Sequence, residues 1–452
     1  MDKFKEECGV FGIWNHLEAA NMSYLGLYAL QHRGQEGCGI ASLYNGELLI
    51  KKGLGLVADN FNEESLEKLK GSASIGHVRY STTQAHDLCD VQPLVASFQG
   101  SFLALSHNGN LTNAATLRKK LEAEGALFQS QSDSEIFIHL IAKSKKESFR
   151  EKFAEALSHV EGAYSLILMT KRGLLVARDP QGFRPLSLAK LGSAYVVASE
   201  TCAFDLMGAT YIRDIEEGEV LDIQDGGLQS FRSLKAQPRN CIFEYVYFAR
   251  PDSSIFGQNV YAVRKELGRR LAIEHPVEAD VVVPVPDSGV PAAIGYSQTS
   301  GIPYDMGIIR NHYVGRTFIE PKQSIRHFGV KVKLNAVESV IRGKRVVIID
   351  DSIVRGTTSQ KIIKMLRNAG AQEVHLRISS SPTTHSCFYG IDTPTRQELI
   401  ASSHNVEEIR KYITADSLAY LSLEGMRRAA QYPKKTFCTA CFDGNYPTQV
   451  SN

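Results

Sequence analysis

Cys8 stands in the run Glu6-Glu7-Cys8-Gly9-Val10-Phe11-Gly12, where a cut after Glu7 would make it a new N-terminus carrying a thiol and a free amine on one residue. An α-amine titrates near pH 7.7 to 8.0, so its neutral fraction can act as the base for the side chain beside it, with no separate catalytic histidine. Residues 1–7 are few and charged, and they read as a removable cap rather than a secretion signal or membrane span. A second concentration of chemistry follows the β-branched run of residues 346–349. Asp350 and Asp351 leave that run and are followed by Ser352-Ile353-Val354-Arg355-Gly356-Thr357-Thr358-Ser359, a hydroxyl-rich loop entering a helical segment. Exposed N–H groups and the positive end of a helix would cradle a phosphate monoester, and the paired carboxylates suit ribose hydroxyls or a magnesium ion shared with a diphosphate. An isolated Asp-Asp would read as a solvated turn after a buried strand; the whole run favours a ligand. Third, Cys438-Thr439-Ala440-Cys441 has the two-residue spacing that lets two thiolates reach one metal centre, which is half a site.

These residues need a scaffold, and 452 residues exceed one ordinary core, so two or three domains are expected. The formal charge of +2 and the lack of a dense basic run disfavour nucleic acid or a membrane surface as partner. No stretch approaches the roughly 18 unbroken apolar residues of a spanning helix, which points to a soluble, cytoplasmic protein. Eight cysteines in this length are too few for a disulfide scaffold.

Strands are expected at residues 40–44 and 47–50, on either side of the hairpin dipeptide Asn45-Gly46, and at 101–105, 163–169, 174–177 and 194–198. A helix is expected over residues 21–33, stopped by Gly34, and another from Ser132-Asp133-Ser134-Glu135, which has capping-box spacing. This half reads as stacked antiparallel sheets flanked by helices. The pattern loosens at residues 233–240, the expected boundary. Beyond it, residues 280–285 and 344–349 are short, nearly unbroken β-branched runs, each followed by a polar loop and then a helical segment, and residues 373–379 supply the next strand. That is a βαβ signature, predicting a doubly wound parallel sheet with its ligand site at the carboxyl ends of the strands.

The run from residue 346 to 359 resembles the phosphoribosyl pyrophosphate motif of type I phosphoribosyltransferases. The resemblance implies that Asp350 and Asp351 lie at the ribose and its magnesium, and that Arg355, Gly356, Thr357, Thr358 and Ser359 hold the 5′-phosphate. Val285-Pro286-Asp287-Ser288-Gly289 looks like the family's diphosphate loop, with Ser288 near the metal. Residues 313–335, rich in Arg and Lys, resemble its mobile lid; Lys333 fits the pattern, whereas Lys331 departs from an expected Arg and loses bidentate geometry.

Paired with such a domain, the front of the chain resembles the class II, N-terminal-nucleophile glutamine amidotransferases. In this order the halves are similar to the amidophosphoribosyltransferase family over nearly the whole length. The resemblance implies a four-layer αββα domain and a doubly wound domain, divided as a propeptide over 1–7, a glutamine domain over 8–235 and a transferase domain with a C-terminal tail over 236–452. Cys8 matches the nucleophile. Arg79 suits the substrate α-carboxylate, Asp133 the α-ammonium, and Asn108 with the N–H of Gly109 the oxyanion. Read alone, Asn108-Gly109 would be a turn, Arg79 a surface ion pair and Cys8 an ordinary thiol. Residues 31–36, Gln-His-Arg-Gly-Gln-Glu, also match, without an assigned catalytic step.

The contexts of Cys241 and Cys387 resemble those of the other two ligands in the family branch that carries a [4Fe–4S] cluster, which would complete Cys438 and Cys441; a structural zinc ion satisfies the same four. Cys38, Cys89 and Cys202 remain as buried side chains. The implied reaction makes 5-phosphoribosylamine, glutamate and diphosphate from glutamine, water and phosphoribosyl pyrophosphate, the first step of de novo purine synthesis, with ammonia crossing an enclosed passage formed as the lid closes. Purine nucleotide inhibitors and a homo-oligomer, a tetramer in the family, are implied as well. The competing readings are a regulator that only senses phosphoribosyl pyrophosphate and a different class II amidotransferase.

Overall fold

The computed structural model describes residues 8–80, 87–311, 334–431 and 436–450. The predicted cap at 1–7, and Lys331 and Lys333 of the predicted lid, lie outside the described residues.

Two antiparallel sheets form the front half. The first has seven strands centred on Gly9–Trp14, which pairs with Ala73–Arg79 on one side and Ala194–Ala198 on the other. The second has six, with Ser101–Leu111 between Leu94–Phe98 and Gly162–Thr170. Alternation along each strand explains the layers. Val10 and Trp14 turn toward the second sheet and join Ala104, Ile167, Val176 and Leu221 between the sheets. Phe11 and Ile13 turn outward beneath the Ala19–Ala29 helix, beside Leu27 and Phe204. The Glu135–Lys143 and Phe149–His159 helices cover the far face through Ile136, Phe137, Phe153 and Leu157. The result is the expected αββα stack.

The Asn45-Gly46 hairpin forms, with both residues at positive φ (49° and 82°), between Gly37–Tyr44 and Glu47–Leu54. Two local expectations fail. The first helix ends at Ala29 rather than Arg33, and residues 30–33 continue as turns. No capping box opens the second helix: the Ser134 side chain makes no cap hydrogen bond, and the Glu135 carboxylate turns back to accept from the N–H groups of Gln129 and Ser130, each at 2.8 Å. Three donors in the preceding loop, counting the Ser130 hydroxyl, outcompete the single N–H a box would satisfy.

Residues 233–239 cross to the second half and dock on the loop after Gly173–Arg178: Gln237 N donates to Pro180 O and Arg239 N to Gln181 O, both at 2.7 Å. There, Val281–Pro284, Arg345–Asp350, Glu373–Ile378 and Ser417–Tyr420 make a four-stranded, wholly parallel sheet in that order. Its side chains alternate between two cores, with Val347 and Ile349 packing toward the Val260–Glu274 and Val290–Ser300 helices. Val346 and Ile348 pack toward the Thr357–Asn368 and Val406–Ile413 helices. Both faces are covered, which is why these strands read as unbroken apolar runs. Leu334–Ala336, at the end of the predicted lid segment, pairs antiparallel with Ile308–Arg310.

Candidate functional site

Cys8 immediately precedes the central strand of the first sheet, and register fixes its neighbourhood: Gly9 stands opposite Val78, one residue short of Arg79. The Cys8 thiol points to Tyr80 O at 3.5 Å. A cavity of about 270 Å³ opens there, lined by Cys8, Arg79, Asn108, Gly109 and Asp133 together with Asp90, Gln92, His107, Ser134 and Gly390. All five residues that the sequence singled out for glutamine therefore meet in one place. The cavity holds a guanidinium and a carboxylate, the pair that complements an α-amino acid zwitterion. Arg79 is oriented by Asp90, whose Oδ2 lies 3.5 Å from Nη2. Asp133 spends one oxygen on the N–H of Leu111, at 2.8 Å. Among the described residues the buried Asn108 Nδ2 has no hydrogen-bond partner. An unsatisfied donor in a polar cavity beside a thiol is what a tetrahedral oxyanion would use.

Behind these residues runs a buried chain of hydrogen bonds. His107 Nε2 donates to Ala163 O at 3.2 Å, so Nδ1 is the acceptor for the Ser134 hydroxyl at 2.8 Å, and Gln92 bonds both Ser134 Oγ (3.1 Å) and His107 N (2.7 Å). Burial pushes His107 below its ordinary pKa against the opposing charge of Asp133, and pushes His77 down to about 3, so both rings are neutral near pH 7. Both brace the strand that carries Asn108, His77 through its Nε2 contact with the His107 carbonyl at 3.0 Å. Residues 31–36 act by shape: a Cβ on Gly34 would lie 2.6 Å from the Arg79 backbone, so glycine permits the close approach that seats Arg79.

In the second half, Asp350 ends the second parallel strand and Asp351 follows it, both buried. Asp351 accepts from the hydroxyls of Ser288 and Ser352, which brings the expected metal residues Ser288 and Asp351 into direct contact across two strand ends. Gly356, at φ 79°, caps the Thr357–Asn368 helix, and Thr358 and Ser359 lie buried in its first turn. Arg355 is half-buried and ion-pairs with Glu398 at 2.7 Å. Small residues, backbone N–H groups and a helix start thus converge at the carboxyl edge of the sheet.

Strand pairing sets Cys241 directly opposite Cys438, in parallel register. Cys441 O accepts from the N–H groups of Thr384 and His385 at 3.0 and 3.1 Å, which ties it to the segment leading to Cys387. Burial raises the Cys441 thiol well above its ordinary pKa, and Cys241, Cys438 and Cys387 raise it further; burial likewise lifts Cys438 to about 12. Three buried thiols and the half-buried Cys387 in one neighbourhood form a donor set that suits a cationic iron or zinc centre, which would favour their deprotonation. Among the described residues no three His, Cys, Asp or Glu side chains already stand in position to hold a metal ion. Of the remaining cysteines, Cys38 and Cys202 are buried, but Cys89 is exposed, contrary to expectation, because it sits on the short surface turn Leu88–Asp90.

Residues 77–205 match the family model described as a glutamine amidotransferase domain, and residues 262–381 match that of a phosphoribosyl transferase domain. The chain is 53% identical to the amidophosphoribosyltransferase of Bacillus subtilis, over 98% of this chain and 95% of that protein, and 49% identical to that of Methanothermobacter thermautotrophicus, over 99% and 95%. The chain belongs to the amidophosphoribosyltransferases. A solved structure described as the allosteric regulatory enzyme of purine biosynthesis superposes at a TM-score of 0.94, with 52% identity, covering 98% of this chain and 97% of that one. The B. subtilis amidotransferase complexed with ADP and GMP superposes at 0.93, with 53% identity, over 98% of each chain.

What sequence reasoning missed in this amidophosphoribosyltransferase is the seam between its halves. Arg33 bonds Glu200 (2.5 Å) and, across the boundary, Glu244 (2.6 Å), while Arg184 bonds Glu244 at 3.4 Å, and all four side chains are almost fully buried. Burial would raise Glu200, but the charges of His32 and Arg33 overcome it and hold the carboxyl well below the usual range. Gly390, more than 250 residues from Asp133, also reaches the cavity. No local pattern announces either feature.

Proposed function

We infer that this protein transfers the amide nitrogen of glutamine to phosphoribosyl pyrophosphate, releasing glutamate and diphosphate and forming 5-phosphoribosylamine, the entry reaction of purine synthesis. One observation carries the reading: the cavity that unites Cys8 with a guanidinium, a carboxylate and a partnerless amide donor belongs to a chain whose other half ends a parallel strand in the Asp350-Asp351 loop.

The reading assigns glutamine chemistry to residues 8–235 and transfer to residues 236–452. Removal of residues 1–7 frees the Cys8 amine, which takes the thiol proton. The thiolate attacks the glutamine amide carbon while Arg79 holds the α-carboxylate and Asp133 the α-ammonium. Asn108 and the Gly109 N–H stabilise the oxyanion, the C–N bond breaks, and the proton held by the amine leaves with ammonia. Water then releases glutamate from the thioester. In the second half, residues 355–359 hold the 5′-phosphate, and Lys333 is assigned to phosphoribosyl pyrophosphate binding. Magnesium, held by Asp350, Asp351 and Ser288, would neutralise charge on the departing diphosphate. Ammonia attacks the ribose C1 as the bond to diphosphate breaks, then loses a proton. Since ammonia in neutral water is mostly protonated, the reading includes an enclosed route between the sites.

Cys241, Cys387, Cys438 and Cys441 hold a [4Fe–4S] cluster in this reading, a clamp that ties the C-terminal tail to the second half. The competing centre is zinc, and colourless protein containing zinc without iron would replace the cluster by it. Purine nucleotides act as inhibitors, supported by the ADP and GMP bound to the B. subtilis relative, and the protein works as a homo-oligomer in the cytoplasm. Among the described residues no helix is long and apolar enough to cross a membrane.

The test incubates the protein with glutamine and phosphoribosyl pyrophosphate and follows glutamate and diphosphate together. Cys8→Ala should abolish glutamine-dependent turnover and keep turnover with ammonium salts; a folded variant that loses both refutes the division of labour. An N-terminal mass that includes residues 1–7 in fully active protein would refute the role of the free amine.

A further inference from the structure

The glutamine cavity has a wall from the other half of the chain. Gly390 lines it beside Cys8, at φ 105°, a region L side chains rarely adopt. A Cβ built there would lie 3.1, 3.2 and 3.3 Å from the carbonyl carbon, Cα and oxygen of Gly109. Neither side has room to yield. Gly109 is itself pressed against the neighbouring strand, where a Cβ would come within 2.1 Å of Ala163 O. The residues flanking Gly390 are fastened to the front half: Asn110 Nδ2 donates to Phe388 O at 3.0 Å, and Arg184 donates through Nε and Nη2 to Tyr389 O at 2.8 and 2.5 Å. The Tyr389 ring stacks on Phe183 at 4.0 Å between centroids. The Gly109 peptide is thus held between Ala163 on one side and Gly390 on the other, next to the partnerless Asn108 Nδ2.

We propose that Gly390 is a positioning residue for amide cleavage: by backing the Gly109 peptide without a side chain, it sets the aim of Asn108 and Gly109 at the oxyanion formed on Cys8. One wall of the oxyanion site then comes from the transferase half. This rests on the glutaminase reading above. A methyl group at 390 must displace Gly109 by a few tenths of an ångström or push the 387–392 loop off the cavity, and oxyanion donors lose effect steeply with misplacement.

The test compares wild type, Cys8→Ala and Gly390→Ala. Glutamine hydrolysis by Gly390→Ala should lose about 10- to 100-fold in kcat, with KM for glutamine within about 3-fold. Alkylation of Cys8 by iodoacetamide, a displacement of iodide in which no oxyanion develops, should stay within about 2-fold, as should ammonia-dependent turnover. A merely structural lesion would lower alkylation and hydrolysis together, and that result overturns the proposal, as does an unchanged kcat. Should Gly390→Ala fail to fold, Asn110→Ala, which releases the Phe388 carbonyl, should show the same split at about 3- to 10-fold in kcat; no change there overturns it. Hydrolysis that survives Cys8→Ala removes the glutaminase reading and this inference together, whereas a dead Cys8→Ala beside an undiminished Gly390→Ala removes this inference alone.

Discussion

Among the described residues of the transferase half, those singled out for phosphate and magnesium come from one strand end and the turn after it, residues 350–359, plus Ser288 from the adjacent strand end. The glutamine cavity instead collects residues from positions as far apart as Cys8 and Gly390. A phosphate can be held by backbone N–H groups and a helix start, which a short contiguous run supplies by its own geometry. An amide undergoing attack needs a thiol, a bidentate cation, a carboxylate and an aimed donor at mutually fixed distances, which one strand cannot carry. The contrast extends to polar satisfaction. Both oxygens of Asp351 accept from neighbouring hydroxyls, whereas Asn108 Nδ2 has no hydrogen-bond partner among the described residues.

The strongest way to break the comparison is Asp351→Asn, which keeps shape and removes charge. Turnover of phosphoribosyl pyrophosphate with either nitrogen source should fall by about 10³-fold or more, while glutamine hydrolysis persists, read as glutamate released without diphosphate. Equal loss of both would show that the halves cannot be separated. Asn108→Ala should do the reverse, lowering glutamine-dependent kcat by about 10²- to 10³-fold and sparing ammonia-dependent turnover. An Asn108→Ala enzyme within a few-fold of wild type would mean that the partnerless donor is not the oxyanion's.

The seam between the regions is sharpened by Glu244→Gln, which leaves Arg33 and Arg184 without their shared counter-charge in a buried setting. A loss of about 3–5 kcal/mol is expected, seen as an earlier thermal unfolding of the variant. A midpoint unmoved by the substitution would show that the network does not hold the halves together.

The smallest effect is a pH slope. His77 is neutral when folded, with burial holding it near 3 against an ordinary 6.5, so between those values the unfolded chain binds a proton that the native protein does not. Its contribution is therefore present above pH 6.5 and is lost as pH falls toward 3, at up to about 1.4 kcal/mol per pH unit. Glu200, held low, adds to this acid limb, while Asp179, raised by burial to about 6, has the opposite sign, favouring the fold below its ordinary 3.8 and losing that favour as pH rises to 6. His77→Gln should flatten the fall in melting temperature between pH 6.5 and 4; an identical slope in the variant would place the acid lability elsewhere.

How much of this was legible beforehand follows the same division. Strand alternation and the Asn45-Gly46 turn placed six of the front strands but not the central Gly9–Trp14 or its neighbour Ala73–Arg79, and three of the four parallel strands were expected; Ser417–Tyr420, short and ending in Tyr, carried no such signal. The helix start at Ser134-Glu135 misled because the capping-box spacing says nothing of a loop that offers Glu135 three better donors. Cys89 misled because cysteine is more often buried than not, a tendency that cannot see a surface turn.

By itself the sequence determined what is encoded over short spans: the loop at residues 350–359 that leaves an apolar strand, the paired thiols of Cys438 and Cys441, and the periodicities of the two halves, because each rests on local backbone geometry or side-chain alternation. Tertiary structure alone decided that Cys8, Arg79, Asn108 and Asp133 share one cavity, that Glu244 is buried between two arginines of the other half, and that Gly390 closes on Gly109. Such contacts join residues far apart in the chain, within the front half for the cavity and across the two halves for Glu244 and Gly390, and only the packing of strands, sheets and cores brings them together.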